Sequence, residues 1–175
     1  MPTYSKAPQN VVDLANAILC EFATHKPLLD AKVKVDLVFA HADLDKNGEA
    51  RNYAISVRGV RALGQARKLK LKDRVMGRGD GEVLLDADWW AQADLDQQRA
   101  VIDHELHHLE VQIDERGVIR DDIGRPLLAL RRHDFQFGWF SVVAARHGKA
   151  SMEQIQARQI FEEAGQLYFP WLPKL

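Results

Sequence analysis

DLDQQRAVIDHELHHLEVQIDER, residues 94–116, is the stretch on which the reading of this chain turns. At its centre His104-Glu105-Leu106-His107-His108 spells H-E-x-x-H. On a helix, residues i and i+4 stand one above the other on the same face. The imidazoles of His104 and His108 can then reach one metal ion without bending the backbone. Glu105 projects beside that point, where a carboxylate can hold a metal-activated water and take its proton. Asp94 with Gln97 has the form of a capping box, and Asp96 adds negative charge to the first turn. At 100° per residue, Ile102, Leu106, Leu109 and Ile113 gather on an arc expected to face the core. Asp103, Glu110 and Asp114 gather on an arc expected to face water. His104 and His108 share a third arc with Val101 and Val111, with Glu105 at its border. His107 falls between this arc and the charged one, which makes it the weaker ligand candidate. The periodicity predicts that the helix continues past Val111.

The plain alternative is a solvated histidine cluster. Against it stands the cost of placing two histidines and a glutamate on an otherwise buried face without partners. A catalytic zinc takes three protein ligands and keeps one position for water. The extended H-E-x-x-H-x-x-G-x-x-H arrangement is absent, since Val111 replaces its glycine and Asp114 its last histidine. The third ligand is therefore expected from another helix. His133 is the best candidate, 25 residues after His108, which leaves room for a loop and a returning antiparallel helix. Leu127, Leu128, Leu130, Phe135, Phe137, Trp139 and Phe140 flank it and imply a packed environment. A core histidine satisfied by a hydrogen bond is the competing reading. Asp134 can ligate instead, or orient a histidine from behind. Glu162 and Glu163 are distant alternatives, and His147 reads as a helix-end residue favoured by the dipole. Glu105 to His108 also reads E-x-x-H, as in di-iron bundles, but no second E-x-x-H occurs in the chain.

Working outward, 175 residues and 46% apolar content fit one domain with a sizeable core. The expected core of that domain is residues 30–148, followed by a C-terminal helix and apolar tail over 149–175. A net charge of −1 argues against a strongly basic nucleic-acid binder. The one cysteine, Cys20, excludes a disulfide framework and a cysteine-based zinc knuckle. It reads as a structural residue. No apolar run approaches the ~20 residues that span a bilayer, and the first ten residues lack a signal-peptide core. The expectation is a cytoplasmic protein.

Residues 10–25 carry Val11, Leu14, Ile18 and Phe22 at helical spacing. KVKVDLVFA, residues 32–40, becomes continuously apolar, as a strand entering a core does. DLDKNG lacks the full spacing of a calcium loop and reads as a turn. Residues 58–78 are the most basic part, with Arg58, Arg61, Arg67, Lys68, Lys70, Lys72, Arg74 and Arg78. Such a run is usually a solvated face; its other use is contact with nucleic acid or an acidic substrate. EVLL, residues 82–85, reads as a strand, with a tight helical turn carrying Trp89 and Trp90 inward. An exposed edge there could bind an extended peptide. A helix is expected from about Pro126 to Gly148. Ser151 then caps a last helix to about Tyr168, with Glu153 and Glu163 on its polar side. The tail FPWLPKL is apolar and proline-broken, with Trp171 as a docking or contact residue.

The order KVDLVFA, a basic middle, EVLLDADWW, AVIDHELHHLE and RRHDFQFGWF resembles the phage metallopeptidase family, itself similar to SprT-like and other zincin proteases. The likeness covers roughly residues 30–148. It implies an α+β, zincin-like fold: a small twisted sheet of three to four strands on an active-site helix, with N-terminal and C-terminal helices. It implies zinc on His104, His108 and His133, with Glu105 acting on the water. The expected activity is zinc-dependent hydrolysis of peptide bonds in a protein or peptide substrate, in the host cytoplasm if the chain is phage-encoded. In that mechanism the metal, with a nearby donor (His107, Tyr53 or an arginine, none of them assignable from the sequence), would stabilise the oxyanion. The competing function is a non-catalytic zincin-like module that contacts DNA or a partner protein through residues 58–78.

Overall fold

The computed structural model describes residues 2–48, 50, 52–57, 59–133 and 140–159. Strand β1 (Thr3–Lys6) leads into helix α1 (Gln9–Glu21), a 3-10 turn (Ala23–His25) and the short helix α2 (Lys26–Asp30). Strand β2 (Val35–His41) follows, then a hairpin of β3 (Ser56–Val57) and β4 (Val60–Arg61). Next come β5 (Gly64–Lys68), α3 (Leu71–Val75), β6 (Gly81–Asp86) and α4 (Ala87–Trp90). Helix α5 (Leu95–His107) carries the H-E-x-x-H segment into β7 (Leu109–Val111). The hairpin β8 (Ile113–Asp114) and β9 (Gly117–Val118), strand β10 (Leu128–Leu130), and helices α6 (Ser141–His147) and α7 (Met152–Gln159) complete the described chain.

The expected α+β architecture is present. Four strands form a mixed sheet in the order β1-β2-β6-β5. β2 and β6 run parallel, with Val35 opposite Gly81 and Ala40 opposite Asp86, and the outer pairs are antiparallel. All six residues of β6 are buried, as an interior strand covered on both faces requires. EVLL is thus the interior of the sheet rather than an exposed edge. The outer strand on that side is β5, inside the basic segment.

Helix α5 packs its apolar arc, including Ile102 and Leu106, into a core shared with Val11, Ile18, Val83 and Leu85. Its start follows the expectation. Asp94 accepts from the Gln97 N–H at 2.8 Å, and the Gln97 side chain accepts from the Asp94 N–H at 3.0 Å. Asp94→Ala should cost about 1 kcal/mol of stability, read as a lower urea midpoint at unchanged slope. An unchanged midpoint would mean that packing alone sets the start of α5.

The far end of α5 departs from the expectation. The helix stops at His107, and residues 109–111 pair with β10 instead of adding another turn. Leu109 and Val111 are buried while Glu110 is exposed, so a period-2 pattern sits inside one that also fits period 3.6. β10 accordingly occupies part of the region expected to be a long helix over residues 126–148, of which α6 is the helical portion among the described residues. The first helix ends at Glu21 rather than His25, and its Cys20 is exposed. Beyond residue 159, the expected end of the last helix, Glu162, Glu163 and Trp171 lie outside the described residues, as do Arg58, Asp134, Phe135, Phe137 and Trp139.

Much of the basic middle is spent on ion pairs. Arg74 is buried and bonds Asp80 at 2.7 Å and Asp121 at 2.9 Å. Arg125 joins Asp80 at 2.8 Å, so the loop before β10 is tied to the turn before β6. Arg61 pairs with Asp86, and Arg78 with Asp36 and Glu82. Among the described residues no helix is long and apolar enough to cross a membrane.

Candidate metal centre

A separation of about one helical turn places His104 and His108 over one another, with ring centroids 5.2 Å apart. His133 arrives from the segment just after β10, not from a returning helix. Its ring lies 5.2 Å from that of His104 and 4.5 Å from that of His108. Each of the three offers a ring nitrogen within 4.8 Å of the others. The Nε2 atoms of His104 and His133 are 3.2 Å apart, close to the ~3.3 Å between two nitrogens on one tetrahedral zinc at ~2.0–2.1 Å each.

The opposite ring nitrogens are occupied. His104 Nδ1–H donates to Glu153 Oε1 at 2.6 Å, and His108 Nδ1–H donates to the Arg131 carbonyl at 2.8 Å. In that tautomer both Nε2 atoms carry a free lone pair. Phe140, fully buried, lies with its ring centroid 4.8–5.2 Å from all three imidazoles. This contact restricts their rotamers from one side. The donor set and its outer hydrogen bonds therefore fit a divalent metal.

Burial opposes the charged form of His104, but the bond to Glu153 and the nearby Glu105, Glu153 and Asp103 charges outweigh it and raise its pKa. His108 goes the other way, to about 4: burial dominates, and the neighbouring histidines add to it against the Arg131 carbonyl.

Glu105 is buried against β5 rather than free in the cleft. Burial pushes its carboxyl above the ordinary range, against His104 and a hydrogen bond from the Ala66 backbone. The main chain explains that bond. Leu63 and Leu69 make ladder bonds to Asp86 and Asp80, so by antiparallel alternation the N–H groups of Gly64, Ala66 and Lys68 point away from β6. Gly64 lies so close that an added Cβ would meet Glu105 Cγ and Oε1 at 2.7 Å. The imidazoles, Glu105 and this strand line a cleft of about 680 Å³. Val57 and Val60, on the β3–β4 hairpin, form part of its apolar wall.

A second cluster lies on the other side of α5. Asp103 is fully buried, although its arc was expected to face water, because α1, the 3-10 turn and α6 cover that face. It accepts from His25 at 2.7 Å, His147 at 2.9 Å, and Arg146 at 3.0 Å on both oxygens. His107 Nδ1 is 3.3 Å away. Burial alone would raise the Asp103 pKa; bonds from His107, His147, His25 and Arg146 instead hold it well below the usual carboxylate range. His25, Asp103 and His107 have ligand-like spacing. A cation there would sit beside the Arg146 guanidinium, which already neutralises the carboxylate, so this cluster reads as a charge network. His107 belongs to it rather than to the first cluster, and His147 spans to it instead of simply ending a helix.

Glu153 is the residue that reading the sequence missed: expected on a polar face, it is 2% exposed and touches His104. Only its position two residues after the capping Ser151 hinted at a defined orientation. The Ser151 hydroxyl does accept from the Gln154 N–H at 3.2 Å. A family model described as "Putative phage metallopeptidase" matches residues 3–164. No curated protein and no solved structure matches the chain.

Proposed function

From the premise that this chain belongs to the phage metallopeptidase family, we propose that it is a zinc-dependent peptidase. Zinc is held by His104, His108 and His133, and Glu105 is its general base. The observation that carries this reading is the convergence of three imidazoles, two of them (His104 and His108) with their outer nitrogens already bonded, beside a buried carboxylate in one cleft. An all-nitrogen set of three favours zinc over the oxygen-seeking magnesium or calcium. When bound, the metal supplies Lewis-acid polarisation of the scissile carbonyl and acidifies the attacking water.

The chain's own residues do the rest. Glu105 takes the proton of the attacking water and returns it to the leaving amine. Its elevated pKa brings it nearer to a group that can do both. An extended substrate lies along the outward side of β5, where main-chain groups give affinity and the cleft walls give selectivity. The test is elemental analysis of the purified chain together with hydrolysis of an unfolded, fluorophore-labelled protein. About one zinc per chain and chelator-sensitive cleavage are expected. Absence of bound zinc, or cleavage indifferent to chelation, would overturn the reading.

Gly64 gives a sharper check, because its missing side chain is the space that Glu105 occupies. Gly64→Ala should move the carboxylate and lower kcat/KM by up to about 10²-fold, the scale of a ~1 Å misplacement. Zinc content and melting temperature should hold. Wild-type turnover in this variant would mean that the contact with β5 does not position Glu105.

A further inference from the structure

We infer that Glu153 is a positioning residue that fixes the tautomer and strengthens the donor nitrogen of His104; this rests on reading the three imidazoles as metal ligands. Glu153 sits in the first turn of α7, where a glutamate can ordinarily remain in water. Here it is 2% exposed, and its Oε2 is buried with no hydrogen-bond partner among the described residues. Burying a carboxylate with one oxygen unmatched is costly. Its strong described contact is the 2.6 Å bond from His104 Nδ1; the other, from the Phe140 N–H, is 3.5 Å long.

That one bond decides which way His104 faces. With Nδ1 committed as donor to Glu153, Nε2 is the remaining lone pair, and it points to within 3.2 Å of His133 Nε2. Glu153 bonds the ring nitrogen opposite the one that meets His133 and is not among the three residues whose ligand atoms converge, so it orients a ligand without being one. His108 is held by a neutral carbonyl, that of Arg131. The carboxylate behind His104 makes that imidazole the more basic donor of the two. Delivery of Glu153 depends on the second cluster. Arg146 and His147 at the end of α6 bind Asp103, the residue before His104, and α7 starts five residues after His147.

The test compares wild type, Glu153→Gln and Glu153→Ala as full-length chains. Zinc affinity is measured by competition with a chromophoric chelator, and the d–d absorption band is recorded with cobalt(II). Glu153→Ala should weaken zinc binding about 10–100-fold and shift the cobalt band. Glu153→Gln keeps an acceptor oxygen and should recover part of the affinity while remaining below wild type. A change in packing alone would lower the melting temperature of both variants and leave the cobalt band in place. If Glu153→Ala does not fold, the near-isosteric Gln variant decides, and wild-type affinity and spectrum in that folded variant overturn the inference. A wild-type chain that binds no metal overturns both this inference and the proposed function; equal affinity in all three chains overturns this inference alone.

Discussion

Glu105→Gln is expected to abolish most peptide hydrolysis and to leave the metal in place. The amide is close to isosteric with the carboxylate but cannot take a proton. The loss should be about 10²–10⁴ in kcat/KM, the ordinary contribution of a positioned general base, or about 3–5 kcal/mol of transition-state stabilisation. Zinc should remain near one per chain, since the imidazoles and their outer acceptors are untouched. The folded state should not suffer either, because Glu105 is 6% exposed and burial already works against its charge. Measured together, zinc content and kcat/KM separate two failures. Near-normal turnover would remove Glu105 from the chemistry, and loss of zinc would make it a ligand instead of a base.

Why the site was readable from the sequence, and where it was not, follows from the range of the interactions involved. H-E-x-x-H is a local pattern: helix geometry alone brings His104 and His108 to one face, and the capping box at Asp94 needs only three residues. His133 stood out as the best of several candidates, but the element that brings it was not legible. Leu109-Glu110-Val111 satisfies both a helical and a strand period, and only pairing with Leu128–Leu130 decides between them. That pairing is a long-range contact, and it ends α5 at His107. The order β1-β2-β6-β5 is of the same kind: nothing local to GQARK marks it as the outer strand beside the site.

The two buried acids were misread for a related reason. Asp103 and Glu153 sit on helix faces that look solvent-facing when each helix is considered by itself. Their burial comes from what covers them: α1, the turn at His25 and α6 around Asp103, and α5 against Glu153. The sequence signal that existed was compositional. Arg146 needed an anion, and His25, His107 and His147, none of them a ligand in the motif, needed hydrogen-bond partners; the acid one residue before the motif supplies both.

That anion should carry a large share of the stability. Asp103→Asn keeps the volume of the side chain but removes the charge that holds Arg146 at 3.0 Å and accepts from His25 and His147 at 2.7 and 2.9 Å. It would leave a largely buried guanidinium facing a neutral amide, and an amide NH2 would also be forced against one of the surrounding donors. Breaking a buried, hydrogen-bonded charge network from one side costs about 3–5 kcal/mol, which should lower the urea midpoint far more than Asp94→Ala. The cost cannot be read as the net worth of the network, since most of it is the penalty of stranding Arg146. Asp103→Asn combined with Arg146→Met removes both charges, so it should recover part of the loss and give an interaction energy of at least about 1 kcal/mol. Additive effects in that cycle, or an Asn variant as stable as wild type, would show that the cluster around Asp103 does not hold α6 against α5.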